Sequence, residues 1–484
     1  MSGFLKNASK YSAGSVLTTL AGIISFPILT RAFDVDDYGK FGLVAATLSI
    51  LVGISKLGFN HSTVRFYSDI KAGNTGWTEH NFYSTIYVGM LLVAGVVSLL
   101  WVALNYSFGM LIWDDKSLAV AFVVTASLIL VRVVESAMMN VLKAQEKASL
   151  FSLYIVIKRY AVLASVIVGV YFLYEDLIGL YILITLCEWL VFIFFAFKWV
   201  PFKHLRPRWV DRKLFILLCT FGIPMFGMEI SSVLLSVGDR YVINLLLNAT
   251  DLGLYSSAYA LAEYSRNIVS MGLAFSAIPI YLRLNAEEGV DSATRFIEKA
   301  IRNYCWIMVP ICFGMAAVAS PLIITLAGEK YADGHIIIPW IVAALGLQGA
   351  FSLSGAGLYL ERESKKLFLI VFVTAVINIA INFILIPILG IKGAAISSLI
   401  CMAILFITSY VWSRKHIQMR LPVLSFVKSL LAGFIMYKFV SYVSSDILIL
   451  SLLFKIFIGM LVYISVIYTI DGVLRKQISV GINR

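Results

Sequence analysis

Apolar stretches of about 20 residues, the length that crosses the hydrocarbon of a bilayer, follow one another through almost all of this 484-residue chain. Lipid offers no partner to a backbone N–H or C=O, so such segments must close their own hydrogen bonds as helices. The alternating pattern of a membrane barrel is missing from the sequence. An all-α integral membrane protein is therefore expected. Composition agrees, with only 14% of residues charged against roughly 25% in soluble domains.

The pattern predicts about fourteen transmembrane helices, near 12–32, 38–58, 82–104, 118–140, 150–173, 177–200, 214–246, 252–280, 303–325, 336–358, 367–389, 391–412, 423–443 and 447–470. Lys and Arg test the alternation, because cytoplasmic segments are enriched in them. With the N-terminus inside, the inner segments hold 27, the outer loops hold Arg31, Lys40, Lys116, Arg240, Lys330 and Lys392, and six lie within helices. One missed helix would scramble that split, so both termini are expected in the cytoplasm. The net charge of +12 then reflects topology. It does not mark a nucleic-acid surface, since no basic patch interleaves with aromatics.

The longest segments expected outside the membrane are 58–81, 201–213 and 281–302, all on the inner side and too small for a folded domain. Cys187, Cys219, Cys305, Cys312 and Cys401 lie inside apolar stretches with no CxxC pair, which implies neither a disulfide framework nor a zinc site. No cofactor or metal is expected, and no cleavable signal peptide is evident.

Three weak matches recur in the same order. Asp37 through Phe41 resembles Asp251 through Tyr255, and Gly179 pairs with Gly393, both at an offset of 214; Leu142 through Glu146 resembles Leu358 through Arg362 at 216. Six helices separate the copies, so they share one orientation, as in a parallel repeat about an axis along the membrane normal. The expected organisation is an N-terminal lobe (1–200), a C-terminal lobe (201–413) and two additional helices (414–484). Two such lobes suit alternating access.

Charged side chains deep in a bilayer cost roughly 2.5–3.5 kcal/mol on insertion scales, so each needs a reason. Basic groups recur at the outer end (Arg31, Arg240), near the middle (Arg266) and toward the inner face (Arg132, Lys158, Arg159). Facing one cavity, they would form a cationic track for an anionic cargo, with arginine forks suited to phosphate. Glu135, Glu188, Glu229, Asp239 and Glu263 are candidate proton or sodium sites for coupling. The competing expectation is purely structural pairing of Arg132 with Glu135, Glu263 with Arg266 and Asp239 with Arg240.

Pro27 through Arg31 running into Asp37-Tyr38-Gly39, Gly238 through Tyr241 leading to Leu252 through Tyr255, and Gly390-Ile391-Lys392-Gly393-Ala394-Ala395 after Asn378 and Asn382 resemble the polysaccharide-unit (Wzx-type) flippases. That family lies within the multidrug/oligosaccharidyl-lipid/polysaccharide exporter superfamily. The resemblance implies twelve core helices in two lobes, two extra helices and a cationic cavity. It implies a bacterial cytoplasmic-membrane protein whose cargo is an O-antigen-type oligosaccharide repeat unit on undecaprenyl pyrophosphate. Polysaccharide polymerase and chain-length machinery are the implied protein partners, alongside membrane lipids.

Lipid II, teichoic-type precursors and antiported drugs are alternative cargoes. An enzyme is the rival from another class: Asp34-Val35-Asp36 is a D-x-D near the end of the first helix. The matching loop has Ala249-Thr250-Asp251, so these acids read as ordinary loop residues, and no catalytic residue is assigned. Arg240→Ala and Arg266→Ala are expected to impair translocation without blocking membrane insertion. Full activity of both at normal expression would remove the cationic track.

Overall fold

The computed structural model describes residues 2–172, 177–272, 274–361, 363–443 and 448–475. The chain forms two compact units, Met1–Tyr241 and Val242–Arg484. The first holds α1 (Ser2–Ala32), α2 (Val35–Lys56), α3 (Phe59–Lys71), α4 (Glu79–Trp113), α5 (Lys116–Ala144), α6 (Ala148–Phe172), α7 (Leu177–Trp199) and most of α8 (Arg212–Leu246). The second holds α9 (Ala249–Gly272), α10 (Ala274–Glu288), α11 (Val290–Ala327), α12 (Ile338–Ser354), α13 (Ala356–Leu360), α14 (Ser364–Leu389), α15 (Ile391–Ser413), α16 (Val423–Ser441) and α17 (Leu448–Ile470). Every element among the described residues is helical.

Among the described residues, twelve helices are long and apolar enough to cross a membrane, and the pair Glu329–Ile336 and α12, bent by 57°, makes a thirteenth. The remaining expected span, 252–280, falls on α9 and α10. α9 has the length, but Asp251, Glu263 and Arg266 dilute its apolar character. Two expected inner loops are instead largely helix. Residues 59–71 form α3, and Val290–Ala327 runs as one helix from the polar segment 290–302 into the membrane. A helix closes its own hydrogen bonds in water as well as in lipid, so a polar stretch does not by itself end one.

The same neighbour pattern occurs within each unit. α5 packs against α4 and α7, and α7 against α6; likewise α12 packs against α11 and α15, and α15 against α14. The matched sequence segments fall at equivalent places: Asp37 and Asp251 are each third in their helix (α2, α9), as are Gly179 and Gly393 (α7, α15). Arg362, the end of the third match, lies outside the described residues. Asp36 and Asp37 sit in the first turn of α2, where carboxylates offset the helix dipole, as expected of ordinary helix-start acids. Asp115 caps α5 through the Ser117 and Leu118 amides. Burial opposes its ionisation, but bonds from Lys40, Ser117 and Leu118 prevail and hold its carboxyl at about 2.

In the second unit, α16 and α17 are fastened to α11 by buried groups. Trp306 Nε1 donates to Asp471 Oδ2 (3.1 Å), and the Tyr463 hydroxyl donates to the Trp306 carbonyl (3.0 Å). Ala432, Met436 and Val440 complete that core.

The joint between α2 and α3 needs a glycine. Leu57 and Gly58 both have positive φ, 46° and 74°, and a Cβ on Gly58 would collide with the carbonyl oxygen of Gly222 in α8. Gly58→Ala is expected to cost about 1–3 kcal/mol in strain and to lower the thermal unfolding midpoint of the detergent-solubilised protein. An unchanged midpoint would show that the contact is dispensable.

Candidate functional site

α5, α6 and α7 bring four of the expected charges together. Arg132 grips Glu188 with a fork, Nε to Oε2 at 3.0 Å and Nη2 to Oε1 at 2.7 Å. Lys158 donates to Glu135 Oε2 at 2.5 Å and stands 3.0 Å from Glu188 Oε2. The Glu188 side chain is only 4% exposed. Arg132 therefore pairs with Glu188 on another helix, and Glu135, three residues along α5, takes Lys158. Two cations and two carboxylates sum to zero, which is what lets all four sit inside a membrane domain.

Arg159 does not join this cluster. It is exposed on α6 and has no ion-pair partner among the described residues. Its place near the middle of a 25-residue helix is costly unless it faces water or an anion. Arg31 is exposed in the last turn of α1. Asp239 is buried, and one of its carboxylate oxygens accepts from the Arg240 backbone N–H at 2.8 Å.

A second group forms where the α2–α3 joint meets α8. Glu229 accepts from Lys56 Nζ (3.3 Å) and Asn60 Nδ2 (2.9 Å), and His61 Nε2 lies 3.8 Å away. Asn60 and His61 occupy the first turn of α3, whose dipole also favours a carboxylate. Glu229, Asn60 and His61 edge a cleft of ≈ 610 Å³ that includes Ser49, Ser232 and Ser236. Glu229, Ser232 and Ser236 were readable as one helical stripe; Lys56, Asn60 and His61 were not, because they resemble polar residues at the end of a span.

In the second unit, Arg266 donates through Nη1 to Gln348 Oε1 (2.7 Å) and through Nη2 to Glu263 Oε1 (2.8 Å) and Asn267 Oδ1 (3.3 Å). Glu263 and Arg266 are thus the neighbours that their spacing implied, and Gln348 is added by the fold. A separate cavity of ≈ 540 Å³ lies among α11, α12, α15 and α16. Met308, Phe313, Leu347, Phe406 and Phe426 line it, and among the described residues no charged side chain does.

Breaking a buried pair strands its partner, at about 3–5 kcal/mol. Glu188→Gln should therefore lower the unfolding midpoint more than the double variant Arg132→Met/Glu188→Leu, which leaves Lys158 and Glu135 paired. Thermal unfolding of both in detergent checks the order.

The family model described as Polysaccharide biosynthesis protein matches residues 4–285. A Haloferax volcanii protein named "Probable low-salt glycan biosynthesis flippase Agl15" is 21% identical over 253 residues, 50% of this chain and 53% of that protein. The chain thus matches about half the length of that curated relative. Among solved structures, the lipid II flippase MurJ in an inward closed conformation superposes with a TM-score of 0.79 at 15% identity, covering 95% of this chain and 98% of the other. An inward-facing multidrug resistance MATE family transporter gives 0.66 at 14% identity, covering 84% and 94%. At these identities the likeness is one of fold. With its family model spanning more than half of the sequence, this multi-pass membrane chain belongs to the polysaccharide biosynthesis protein family.

Proposed function

We propose that the protein is a flippase that carries an oligosaccharide repeat unit on undecaprenyl pyrophosphate from the inner to the outer leaflet of the bacterial cytoplasmic membrane. Transport is by alternating access, with both termini cytoplasmic and the six-helix lobes 1–200 and 201–413 as the moving bodies. The observation that carries this reading is Arg159: an exposed guanidinium near the middle of a membrane helix, with no carboxylate partner among the described residues. Such a group fits an anionic cargo, and its rigid fork matches pyrophosphate oxygens. The uncharged cavity of the second unit suits the polyprenyl chain, whose burial is favourable at about 0.8 kcal/mol per CH₂. Arg31, Arg132, Lys158, Arg240 and Arg266 are the further cations proposed to act on the anion as it passes.

For ion coupling, Glu135 is the strongest of the carboxylates, because one lysine holds it while two cations hold Glu188. Glu229, Asp239 and Glu263 are the other coupling candidates. Lipid II is the second cargo, favoured by the fold likeness to MurJ over nearly the full length of both chains.

Deleting the gene in its host and analysing polyprenyl-linked glycans by mass spectrometry tests the reading. Accumulation of complete repeat units on undecaprenyl pyrophosphate, with loss of surface polymer, is the expected result. An unchanged lipid pool with altered drug sensitivity would replace it with drug extrusion, and accumulation of lipid II would change the cargo. In a complemented strain, Arg159→Ala should reduce surface polymer at least tenfold at normal expression, in line with the loss of a charge-assisted bond of about 1.5–3 kcal/mol.

A further inference from the structure

On the basis of the flippase reading, we infer that the cleft between the α2–α3 joint and α8 is a glycan subsite, which takes the sugar part of the cargo and not its pyrophosphate. Its volume of ≈ 610 Å³ lies in the usual range for small-molecule pockets, roughly 300–1,000 Å³. Its chemistry is what separates the two halves of the cargo.

The lining is rich in hydrogen-bond acceptors. Ser49 Oγ donates to the Ala45 carbonyl (2.9 Å), Ser232 Oγ to Met228 (2.8 Å) and Ser236 Oγ to Ser232 (2.9 Å). A hydroxyl has one proton and two lone pairs, so each serine has used its proton within its own helix and is left to accept. Glu229 adds a carboxylate whose side chain is 24% exposed, with oxygens that Lys56 and Asn60 only partly occupy. An ionised carboxylate can accept about four hydrogen bonds.

A pyrophosphate is itself an acceptor and an anion, and this surface, where Lys56 already matches the charge of Glu229, offers it no net positive charge. A sugar presents many O–H groups, and an acetamido or amino sugar adds N–H donors, which is the complement of the lining. Met228, Val233 and Val237 interleave with the polar groups and offer an apolar strip to the C–H face of a pyranose ring. Lys56 keeps Glu229 neutralised in the membrane without filling the cleft, which remains open on one side.

The test uses the full-length protein in detergent micelles and two probes. One is the lipid-linked oligosaccharide extracted from the gene-deletion strain; the other is undecaprenyl pyrophosphate without sugar. Dissociation constants are read from tryptophan fluorescence for the wild type, Glu229→Gln and the double variant Ser232→Ala/Ser236→Ala. The serine variant loses only bonds within α8 and keeps the fold if Glu229→Gln does not, which elution volume on size exclusion reports.

The expected result is that both variants bind the glycosylated probe about tenfold more weakly and the bare pyrophosphate with unchanged affinity. Equal weakening toward both probes, or no change toward either, overturns the subsite while leaving the flippase standing. A deletion strain that accumulates no lipid-linked oligosaccharide overturns the flippase reading itself, and the subsite with it.

Discussion

Glu188 is the point on which the first unit depends. It projects from α7 and receives Arg132 from α5 and Lys158 from α6, so one carboxylate ties three helices together. None of those helices could keep its charge in lipid alone. Glu135 supplies the second negative charge and brings the group to neutrality. The pairing also fixes rotation: with Lys158 turned into the cluster, its neighbour Arg159 lies about 100° around the helix, where it is exposed. The cluster thus leaves Arg159 outside itself, exposed on α6.

Much of this architecture was legible because lipid imposes so few solutions. Where the chain is apolar for about 20 residues it must be helical, and thirteen of the fourteen expected spans correspond to helices or a bent pair. Helical structure outside the apolar stretches was not legible, because hydropathy reports the solvent and not the conformation. Thus α3 and the first turns of α11 looked like loops. Partner choice was equally hidden. Spacing of three along α5 joined Arg132 to Glu135, but Glu188 offers the fork two oxygens from another helix, at 2.7 and 3.0 Å. In α9 spacing did suffice, because among the described residues no competing carboxylate reaches Arg266, whose other partners Gln348 and Asn267 are neutral.

The candidate surfaces divide by chemistry within each unit. The first holds a neutralised charge cluster, an exposed arginine on α6 and a cleft of oxygen acceptors; the second holds a cavity without charged lining among the described residues and an arginine bound by two amides and a carboxylate. A molecule with a greasy tail, an anionic joint and a hydroxyl-rich head would find a match for each part in that inventory. Charge and spacing in the sequence pointed to the anionic joint alone, because arginine stands out in an apolar chain, and the glycan and lipid came from the family resemblance. Serines and methionines do not stand out there.

The meeting of Gly58 with Gly222 has a consequence for how such a protein can change. Both partners are main chain, so in this conformation the approach of the α2–α3 joint to α8 is limited by backbone contact and not by any rotamer. Glu229 follows Gly222 by about two helical turns, which places it beside Lys56 and Asn60 whatever side chains surround it. The glycine pair acts as a fiducial mark for this conformation: lining residues of the cleft can be exchanged one at a time without touching the backbone contact beside them. Selectivity can then drift without the fold being renegotiated at each step.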